Sequence, residues 1–349
     1  MKKMTNQPRL LRLGSTGITV RQNAFGALPI QRADMATAVG LLRKAYEGGM
    51  RFFDTARSYT DSEEKLGQAF AERRGELFIA TKTPAKTPED FRRDLETSLK
   101  NLKTDYIDIY QFHNTDICYA PGDGTQMYEC MLKAKREGKI RHIGVTCHKI
   151  GVARKCIASG LYETLQFPFS YLSSEKELEL VRSCRDKNMG FIAMKGMAGG
   201  LINNARAAFA FMSQFDNVLP IWGIQRESEL DEWLSFMEDA PRLTEETEAF
   251  ISKEKSELTG DFCRGCGYCM PCPAGIEINT CARMSLMLRR SPAEKWLAPD
   301  MQAKMRKVED CFNCGACKNK CPYELDTPEL LRKNYADYLK VMAGEVSVK

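Results

Sequence analysis

Residues 51–56 read RFFDTA, a short apolar run, and residues 61–73 read DSEEKLGQAFAER, where apolar residues recur three and four positions apart. The first pattern is typical of a buried strand and the second of an amphipathic helix. The same alternation recurs between Arg9 and Glu238, with helical patterns at residues 35–47, 88–102 and 174–187 among others. It predicts eight strands, at residues 24–28, 51–56, 77–82, 106–113, 140–147, 164–170, 190–195 and 218–223.

This alternation predicts an α/β fold with a parallel sheet, because strands that are apolar on both faces and alternate with helices are buried on both sides. Eight such units in roughly 230 residues fit a (β/α)₈ TIM barrel, in which function is built at the C-terminal ends of the strands. An open doubly wound sheet is the alternative, and it is disfavoured because no G-x-G-x-x-G motif follows the first strand. Residues 10–21, LLRLGSTGITVR, form a candidate hairpin that could close the bottom of the barrel.

The composition is that of a globular protein, with 349 residues, 43% hydrophobic and 28% charged. The net charge of +5 is spread along the chain, so no nucleic-acid arm or membrane-surface helix is indicated. No stretch approaches the roughly 18 apolar residues of a membrane span, and the polar start at residues 2–7 lacks the apolar region of a signal peptide. We therefore expect a cytoplasmic protein without nucleic-acid or membrane partners.

The 14 cysteines are unevenly distributed, because nine of them lie in the last 87 residues. A cytoplasmic location argues against disulfides, so these nine are interpreted chiefly as metal ligands. The chain is expected to divide into a barrel domain at residues 1–255 and a cysteine-rich domain at residues 256–349.

Titratable groups follow three consecutive predicted strands. Asp54 ends the second strand and Tyr59 follows it, while Lys82 and His113 end the third and fourth strands. A buried Asp–Lys pair beside a tyrosine would lower the phenol pKa from its usual value of about 10 and make it a proton donor near neutral pH. Each residue alone also fits a structural role, and their order along the barrel favours the catalytic interpretation.

The sequence strongly resembles the aldo-keto reductase superfamily over roughly residues 8–240. The resemblance rests on Leu13-Gly-Ser-Thr-Gly-Ile-Thr-Val, Phe52-Phe-Asp-Thr-Ala-Arg-Ser-Tyr, Ile79-Ala-Thr-Lys, Ile109-Tyr-Gln-Phe-His-Asn and Lys139-Ile-Arg-His-Ile-Gly-Val-Thr. It implies a catalytic tetrad of Asp54, Tyr59, Lys82 and His113, with Tyr59 as general acid. It also implies a nicotinamide dinucleotide, NADP or NAD, whose hydride reduces a small-molecule carbonyl or is regained from an alcohol.

The cofactor contacts that the resemblance implies fall at Gly26, Ala27, Thr146, Gln166, Met194, Lys195 and Arg226. Three positions depart from the family pattern. Cys147 stands where asparagine is common, Met194 offers no aromatic ring to stack on the nicotinamide, and Gly223 begins a stretch that lacks the usual Lys-Ser pair. Arg226 is the one remaining candidate ligand for a 2′-phosphate, so the preference between NADP and NAD is open.

The tail carries Cys263-x-x-Cys266-x-x-Cys269-x-x-Cys272-Pro and Cys311-x-x-Cys314-x-x-Cys317-x-x-x-Cys321-Pro. The two runs match the bacterial ferredoxin pattern for two [4Fe–4S] clusters, in which the fourth cysteine of each run serves the other cluster, except that the first run has two residues rather than three before its last cysteine. One ligand set is then Cys263, Cys266, Cys269 and Cys321, and the other is Cys311, Cys314, Cys317 and Cys272. Zinc is the alternative, since Cys-x-x-Cys pairs also bind zinc.

The 38 residues between the runs are helix-like, which favours a small, mostly α-helical ferredoxin-like domain. A subset of aldo-keto reductases has a similar C-terminal domain. The leading hypothesis is an oxidoreductase whose clusters transfer electrons or respond to redox state. In one alternative a ferredoxin-type partner feeds the reductase, although a flavin normally links one-electron and hydride chemistry. In another the barrel is a scaffold for an electron-transfer or redox-sensing protein.

Overall fold

The computed structural model describes residues 7–258, 262–290 and 292–348. It divides into two compact units, of which the first ends at Gly196 and resumes over Asn204–Ile251. The second comprises Met197–Asn203 and the chain from Ser252 onward. The segment 197–203 was not part of the cysteine-rich domain expected from the sequence. Residues 1–6, which contain most of the polar start behind the cytoplasmic expectation, lie outside the described residues.

The first unit contains a closed barrel of eight parallel strands, which confirms the TIM barrel and excludes the open sheet. A separate antiparallel pair precedes it, and each predicted barrel strand is present. The strands are β1 (Leu10–Arg12), β2 (Thr19–Arg21), β3 (Ala24–Gly26), β4 (Phe52–Asp54), β5 (Phe78–Thr83), β6 (Ile107–Phe112), β7 (Ile140–Thr146), β8 (Thr164–Pro168), β9 (Gly190–Met194) and β10 (Val218–Gly223). Strand β10 pairs with β3 and thereby closes the barrel.

Helices follow the barrel strands, as the apolar spacing predicts. The helix at residues 88–102 begins where Thr87 accepts a hydrogen bond from the Asp90 N–H, and Pro88 occupies its first turn. The helices up to the cysteine-rich segment are α1 (Met35–Glu47), α2 (Ser62–Phe70), α3 (Pro88–Leu102), α4 (Met127–Arg136), α5 (Ile150–Ser159), α6 (Glu175–Asp186), α7 (Ala205–Met212), α8 (Glu227–Glu238) and α9 (Glu245–Glu257).

The β1–β2 hairpin closes the N-terminal end of the barrel. Its buried Leu11, Leu13, Ile18 and Val20 belong to one apolar core with residues of the barrel strands. Gly14 has a φ of +53°, and a Cβ there would lie 2.2 Å from the backbone nitrogen of Gly190, the first residue of β9. Only glycine allows this close approach, so the hairpin leaves the opposite rim of the barrel to carry the site.

The second unit is helical. Its helices after the first cysteine run are α10 (Ile278–Cys281), α11 (Met284–Arg290), α12 (Ala293–Trp296), α13 (Pro299–Arg306), α14 (Ala316–Lys320) and α15 (Thr327–Met342). Asn334 of α15 donates to the Ala282 carbonyl at 3.1 Å and accepts from the Ser285 N–H at 2.8 Å, which fixes the junction of α10 and α11. Across the part of the chain that the structure describes, no helix has the length and apolarity to cross a membrane.

Candidate functional site

The residues predicted to form the site lie along one rim of the barrel. Parallel strands in a closed barrel place their C-terminal ends together. Asp54, Thr146 and Met194 end their strands, Lys82 is the penultimate residue of β5, and His113 directly follows β6. The other predicted positions are on or just after the remaining strands: Gly26 and Ala27 at β3, Gln166 in β8, Lys195 after β9 and Arg226 after β10.

Asp54 and Lys82 form a buried ion pair at this rim. The Lys82 Nζ donates to Asp54 Oδ1 at 2.6 Å and to the Thr55 carbonyl at 2.6 Å. The two residues are only 2% and 1% exposed. Burial raises the pKa of Asp54 and lowers the pKa of Lys82, and in each case the charge of the partner opposes the shift. Each buried charge is therefore stabilised by the opposite charge of its partner.

Tyr59 and His113 lie beside this pair. The Tyr59 and His113 rings meet edge to face with centroids 5.6 Å apart, and Lys82 Nζ is 5.2 Å from the centroid of the Tyr59 ring. Burial, and secondarily the charge of Lys82, lowers the pKa of His113 to about 3. The imidazole is therefore neutral near pH 7, where it offers hydrogen bonds without a charge. Tyr59 is partly exposed, so a substrate could approach its hydroxyl.

The loop that carries Tyr59 is anchored by polar residues that the sequence analysis did not single out. Arg57 pairs with the buried Glu63, which also accepts from Thr81 Oγ1 at 2.7 Å. Ser62 donates to the Ala27 carbonyl at 2.9 Å and accepts from Thr55 Oγ1 at 2.8 Å. The sequence alone does not reveal the contacts with Ala27 and Thr81, because these partners belong to other strand–loop units of the barrel.

A second missed residue is Gln111 of β6. Its Nε2 donates to Gln166 Oε1 at 3.0 Å and lies 3.5 Å from Asp54 Oδ2, while Gln166 Nε2 donates to Asp54 Oδ1 at 3.3 Å. Both glutamines are essentially inaccessible. The signal was present, since Gln111 precedes His113 by two residues and so faces the same side of the strand. Gln166, predicted to contact the cofactor, thus also orients Asp54.

The remaining rim positions have a donor set suited to an anionic dinucleotide. Lys195 follows β9, and Arg226 precedes α8, the helix after the last strand. In TIM barrels the loops after the seventh and eighth strands often bind phosphate. Arg226 is exposed and its Nε donates to Glu229 Oε1 at 2.8 Å, whereas the Thr146 hydroxyl accepts from the Asn114 N–H at 2.7 Å.

A cavity of about 180 Å³ borders His113. It is formed by the loops after β5 and β6 and is lined by Thr83, Pro84, Ala85, Lys86, Phe112, His113, Asn114, Thr115, Asp116, Ile117 and Tyr119. This volume is below the range of roughly 300–1,000 Å³ that is usual for drug-sized ligands, so the cavity suits only a small molecule. The cavity therefore gives a small substrate room directly beside the predicted tetrad.

The cysteines of the second unit line two cavities. One is bordered by Cys263, Cys266, Cys269 and Cys321, and the other by Cys272, Cys311, Cys314 and Cys317, with Cys269 also at its wall. The structure thus brings together cysteines from opposite runs, in the two sets that the sequence predicts. Residues 263–272 and 311–321 lie in loops and in the short helix α14.

The donor set at each cavity, four cysteines or more, fits an iron–sulfur cluster. Among the residues that the structure describes, no three Cys, His, Asp or Glu side chains converge on one metal-ion position. A zinc site would need its four thiolates about 2.3 Å from one ion. Thiols arranged around a cavity instead suit an iron–sulfur cluster, in which each cysteine binds a different iron.

Comparison with known proteins places both parts of the chain. The sequence profile of the aldo/keto reductase family matches residues 22–244, and that of the 4Fe-4S dicluster domain matches residues 262–326. An uncharacterised oxidoreductase of Bacillus subtilis, YrpG, is 32% identical over 54% of this chain and 67% of its own length. The L-galactose dehydrogenase of Arabidopsis thaliana is 29% identical over 54% of this chain and 66% of its own length. The chain thus spans about two thirds of these relatives.

Solved structures agree on the fold. The holo form of an aldo-keto reductase from Bacillus halodurans superposes with a TM-score of 0.62 at 20% identity, covering 71% of this chain and 96% of that one. An aldo-keto reductase from Klebsiella pneumoniae in complex with NADPH gives a TM-score of 0.61 at 21% identity, covering 70% and 94%. With the family profile matching most of the chain, the protein belongs to the aldo/keto reductase family of oxidoreductases and carries a 4Fe-4S dicluster domain after its barrel.

Proposed function

We propose that this protein reduces a small-molecule carbonyl to an alcohol, or catalyses the reverse oxidation, with a nicotinamide dinucleotide and with Tyr59 as the proton donor. The observation that carries the proposal is the position of Tyr59, whose ring lies against His113 and 5.2 Å from the Lys82 ammonium. The nicotinamide supplies or accepts a hydride at the carbonyl carbon. All other contributions come from side chains at the barrel rim.

In the reducing direction, negative charge develops on the substrate oxygen as the hydride arrives. The Tyr59 hydroxyl gives its proton to that oxygen, and the nearby Lys82 ammonium favours the phenolate that remains. The neutral His113 imidazole donates a hydrogen bond that orients the carbonyl. Asp54 holds Lys82 in place, and the glutamines at positions 111 and 166 hold Asp54. The reverse reaction uses the same groups as base and acceptors.

The dinucleotide is proposed to lie along the rim. Gly26, Ala27, Thr146, Gln166 and Met194 would contact the nicotinamide end. Lys195 and Arg226 would bind phosphate, and Arg226 would hold the 2′-phosphate if NADP is the cofactor. Cationic side chains after the last two barrel strands support this assignment, since that is where barrels commonly bind phosphate.

The two cysteine sets are proposed to hold one [4Fe–4S] cluster each. Cys263, Cys266, Cys269 and Cys321 would bind the first cluster, and Cys272, Cys311, Cys314 and Cys317 the second. Such clusters supply one-electron transfer. A role in passing electrons, or in responding to redox conditions, is compatible with either direction of the barrel reaction.

A ferredoxin-type redox partner is the second candidate, and one observation favours it. Cys314 is exposed, whereas Cys263 and Cys269 of the other set are buried. Electron transfer between proteins requires a close approach to a cofactor edge, so the second cluster is the one that a partner could reach. In this second candidate function the clusters exchange single electrons with the partner. The barrel would then serve as a scaffold and need not carry out hydride transfer.

Replacement of Tyr59 tests the proposal. With NADPH and NADH and a panel of small aldehydes and ketones, Tyr59→Phe should lower kcat by about 10²–10⁴-fold, the range for loss of a general acid. Dinucleotide binding, measured by fluorescence titration, should change little, because the phenol acts only as charge builds on the substrate.

Tyr128→Phe is the matched control, since it removes a tyrosine hydroxyl that donates to the Leu161 carbonyl at 2.6 Å, away from the rim. It should retain turnover. A Tyr59→Phe protein that keeps wild-type turnover would contradict the assignment of Tyr59 as proton donor.

A further inference from the structure

Arg283 lies between two glycines in the second unit. A Cβ at Gly265 would come within 2.7 Å of Arg283 Nη1 and 2.8 Å of its Cζ, and a Cβ at Gly199 would come within 3.0 Å of Nη1. Both glycines have positive φ, +65° and +67°. Gly265 lies between Cys263 and Cys266, so the guanidinium packs directly against the backbone of this ligand loop. The absence of side chains at both glycines is what permits the contact.

Among the described residues, the Arg283 guanidinium has a hydrogen-bond partner at Nη1 but none at Nε. Nη1 donates to the Gly199 carbonyl at 2.8 Å, which fixes the side chain. Nε is buried and has no hydrogen-bond partner among the described residues. An unpaired buried N–H is costly, and it is unusual in a well-packed protein. It fits a site where a further acceptor is bound, and the sulfurs of a cluster are such acceptors.

Among the described residues that border the second cysteine set, none is cationic. The residues that line its cavity besides the cysteines are apolar or small: Pro273, Ile276, Ile278, Gly315, Ala316, Pro328 and Leu331. Arg332 interacts electrostatically with Cys311, but it is exposed and pairs with Glu329 at 2.7 Å. Water and that carboxylate screen its charge. The two predicted clusters therefore differ in the charge next to their ligands.

We propose that Arg283 sets the reduction potential of the first cluster, by its charge and by an N–H donated to a cluster sulfur. The inference rests on the proposed ligand set Cys263, Cys266, Cys269 and Cys321. Reduction adds one electron to the cluster from an external one-electron donor, with no bond made or broken. A fixed cation and an N–H donor stabilise that added negative charge, so they raise the potential.

The test is an anaerobic redox titration of the full-length protein with both clusters, using dithionite as reductant and electron paramagnetic resonance as readout. Arg283→Met should lower the potential of one cluster by about 59 mV, equivalent to a tenfold fall in the one-electron reduction constant. The potential of the other cluster should stay unchanged. Arg289→Met is the matched control, because Arg289 is exposed and pairs with Asp337, and both potentials should then be unaltered.

Two conservative variants separate charge from hydrogen bonding and keep the test decisive if Arg283→Met loses a cluster. If charge dominates, the reduction potential should fall less in Arg283→Lys than in Arg283→Gln. Unchanged potentials in all three Arg283 variants, each with about eight irons per chain, would overturn the inference while leaving the ligand sets intact. Failure of the wild-type protein to take up iron–sulfur clusters on anaerobic reconstitution would instead overturn the ligand sets themselves.

Discussion

The barrel rim and the cysteine-rich segment present reactive groups in opposite ways. At the rim, Asp54, Lys82 and His113 come from three strands far apart in sequence, and hydrogen bonds and ion pairs hold them. In the cysteine-rich segment the ligands are two or three residues apart in loops. The rim is therefore organised by the folded barrel, whereas the cysteine segment supplies closely spaced thiols around cavities that suit a cluster.

This difference predicts how far the folding of each region depends on the group it binds, the clusters in one case and the dinucleotide in the other. A preorganised site keeps its geometry without a ligand. Thiols that surround a cavity have few contacts among themselves, so binding of the cluster contributes to folding. If both regions respond alike to loss of the bound group, this contrast is wrong.

Removal of iron should have the largest effect. Stripping the clusters with a chelator and oxidant should release helices α10–α15 from stable structure, since structural metals contribute on the order of 10 kcal/mol to folding. Hydrogen exchange followed by mass spectrometry should show fast exchange at residues 262–290 and 292–348, while strands β3–β10 stay protected. Equal loss of protection in the barrel strands would break the proposed contrast.

Substitution of Lys82 should have the next largest effect. Lys82→Met leaves Asp54 buried without its partner, which typically costs about 3–5 kcal/mol of unfolding free energy. Turnover should also fall, because Tyr59 loses the neighbouring cation. Urea denaturation and steady-state kinetics measure the two effects.

The double variant Asp54→Leu with Lys82→Met separates stability from chemistry. Removal of both charges should recover most of the unfolding free energy but none of the turnover. Recovery of turnover in the double variant would show that the ion pair serves folding alone.

At neutral pH His113 should give the smallest effect, because its contribution to stability changes with pH only below about 6.5. Its pKa is about 3 in the folded protein and near 6.5 when unfolded, so the unfolded chain binds the extra proton between these values. The free energy of unfolding should therefore fall as pH decreases from about 6.5 towards 3. His113→Gln should make this decline shallower, as measured by urea denaturation at successive pH values.

His148 provides a comparison, because burial also lowers its pKa well below the usual value. His148→Gln should likewise reduce the slope, and the double variant should reduce it further. An unchanged slope in His113→Gln would mean that the pKa of His113 is the same in the folded and unfolded chain, and the lowered pKa assigned to the buried imidazole would be wrong.

Much of the barrel could be predicted from its sequence. The eight strands and the helix bounds at residues 35–47 and 88–102 follow from periodicity, because burial on both faces of a strand and on one face of a helix leaves distinct patterns. The candidate tetrad residues could be selected from strand ends and from family motifs. Gln111 and the anchors Glu63 and Ser62 were not found, since their partners Asp54, Thr81 and Ala27 are distant in sequence.

The cysteine spacing predicts three members of each ligand set, because thiols two residues apart in a short loop are close whatever the rest of the chain does; the fourth member comes from the other run. Local patterns of burial and spacing in the sequence are enough to predict the barrel, the order of its polar strand ends and the division of the cysteines into two runs. Three features are visible only in the folded structure: Arg283 packs on Gly265, Gln111 lies within 3.5 Å of Asp54, and burial lowers the pKa of His113. Those properties depend on distances between elements and on exclusion of water, which no local pattern encodes.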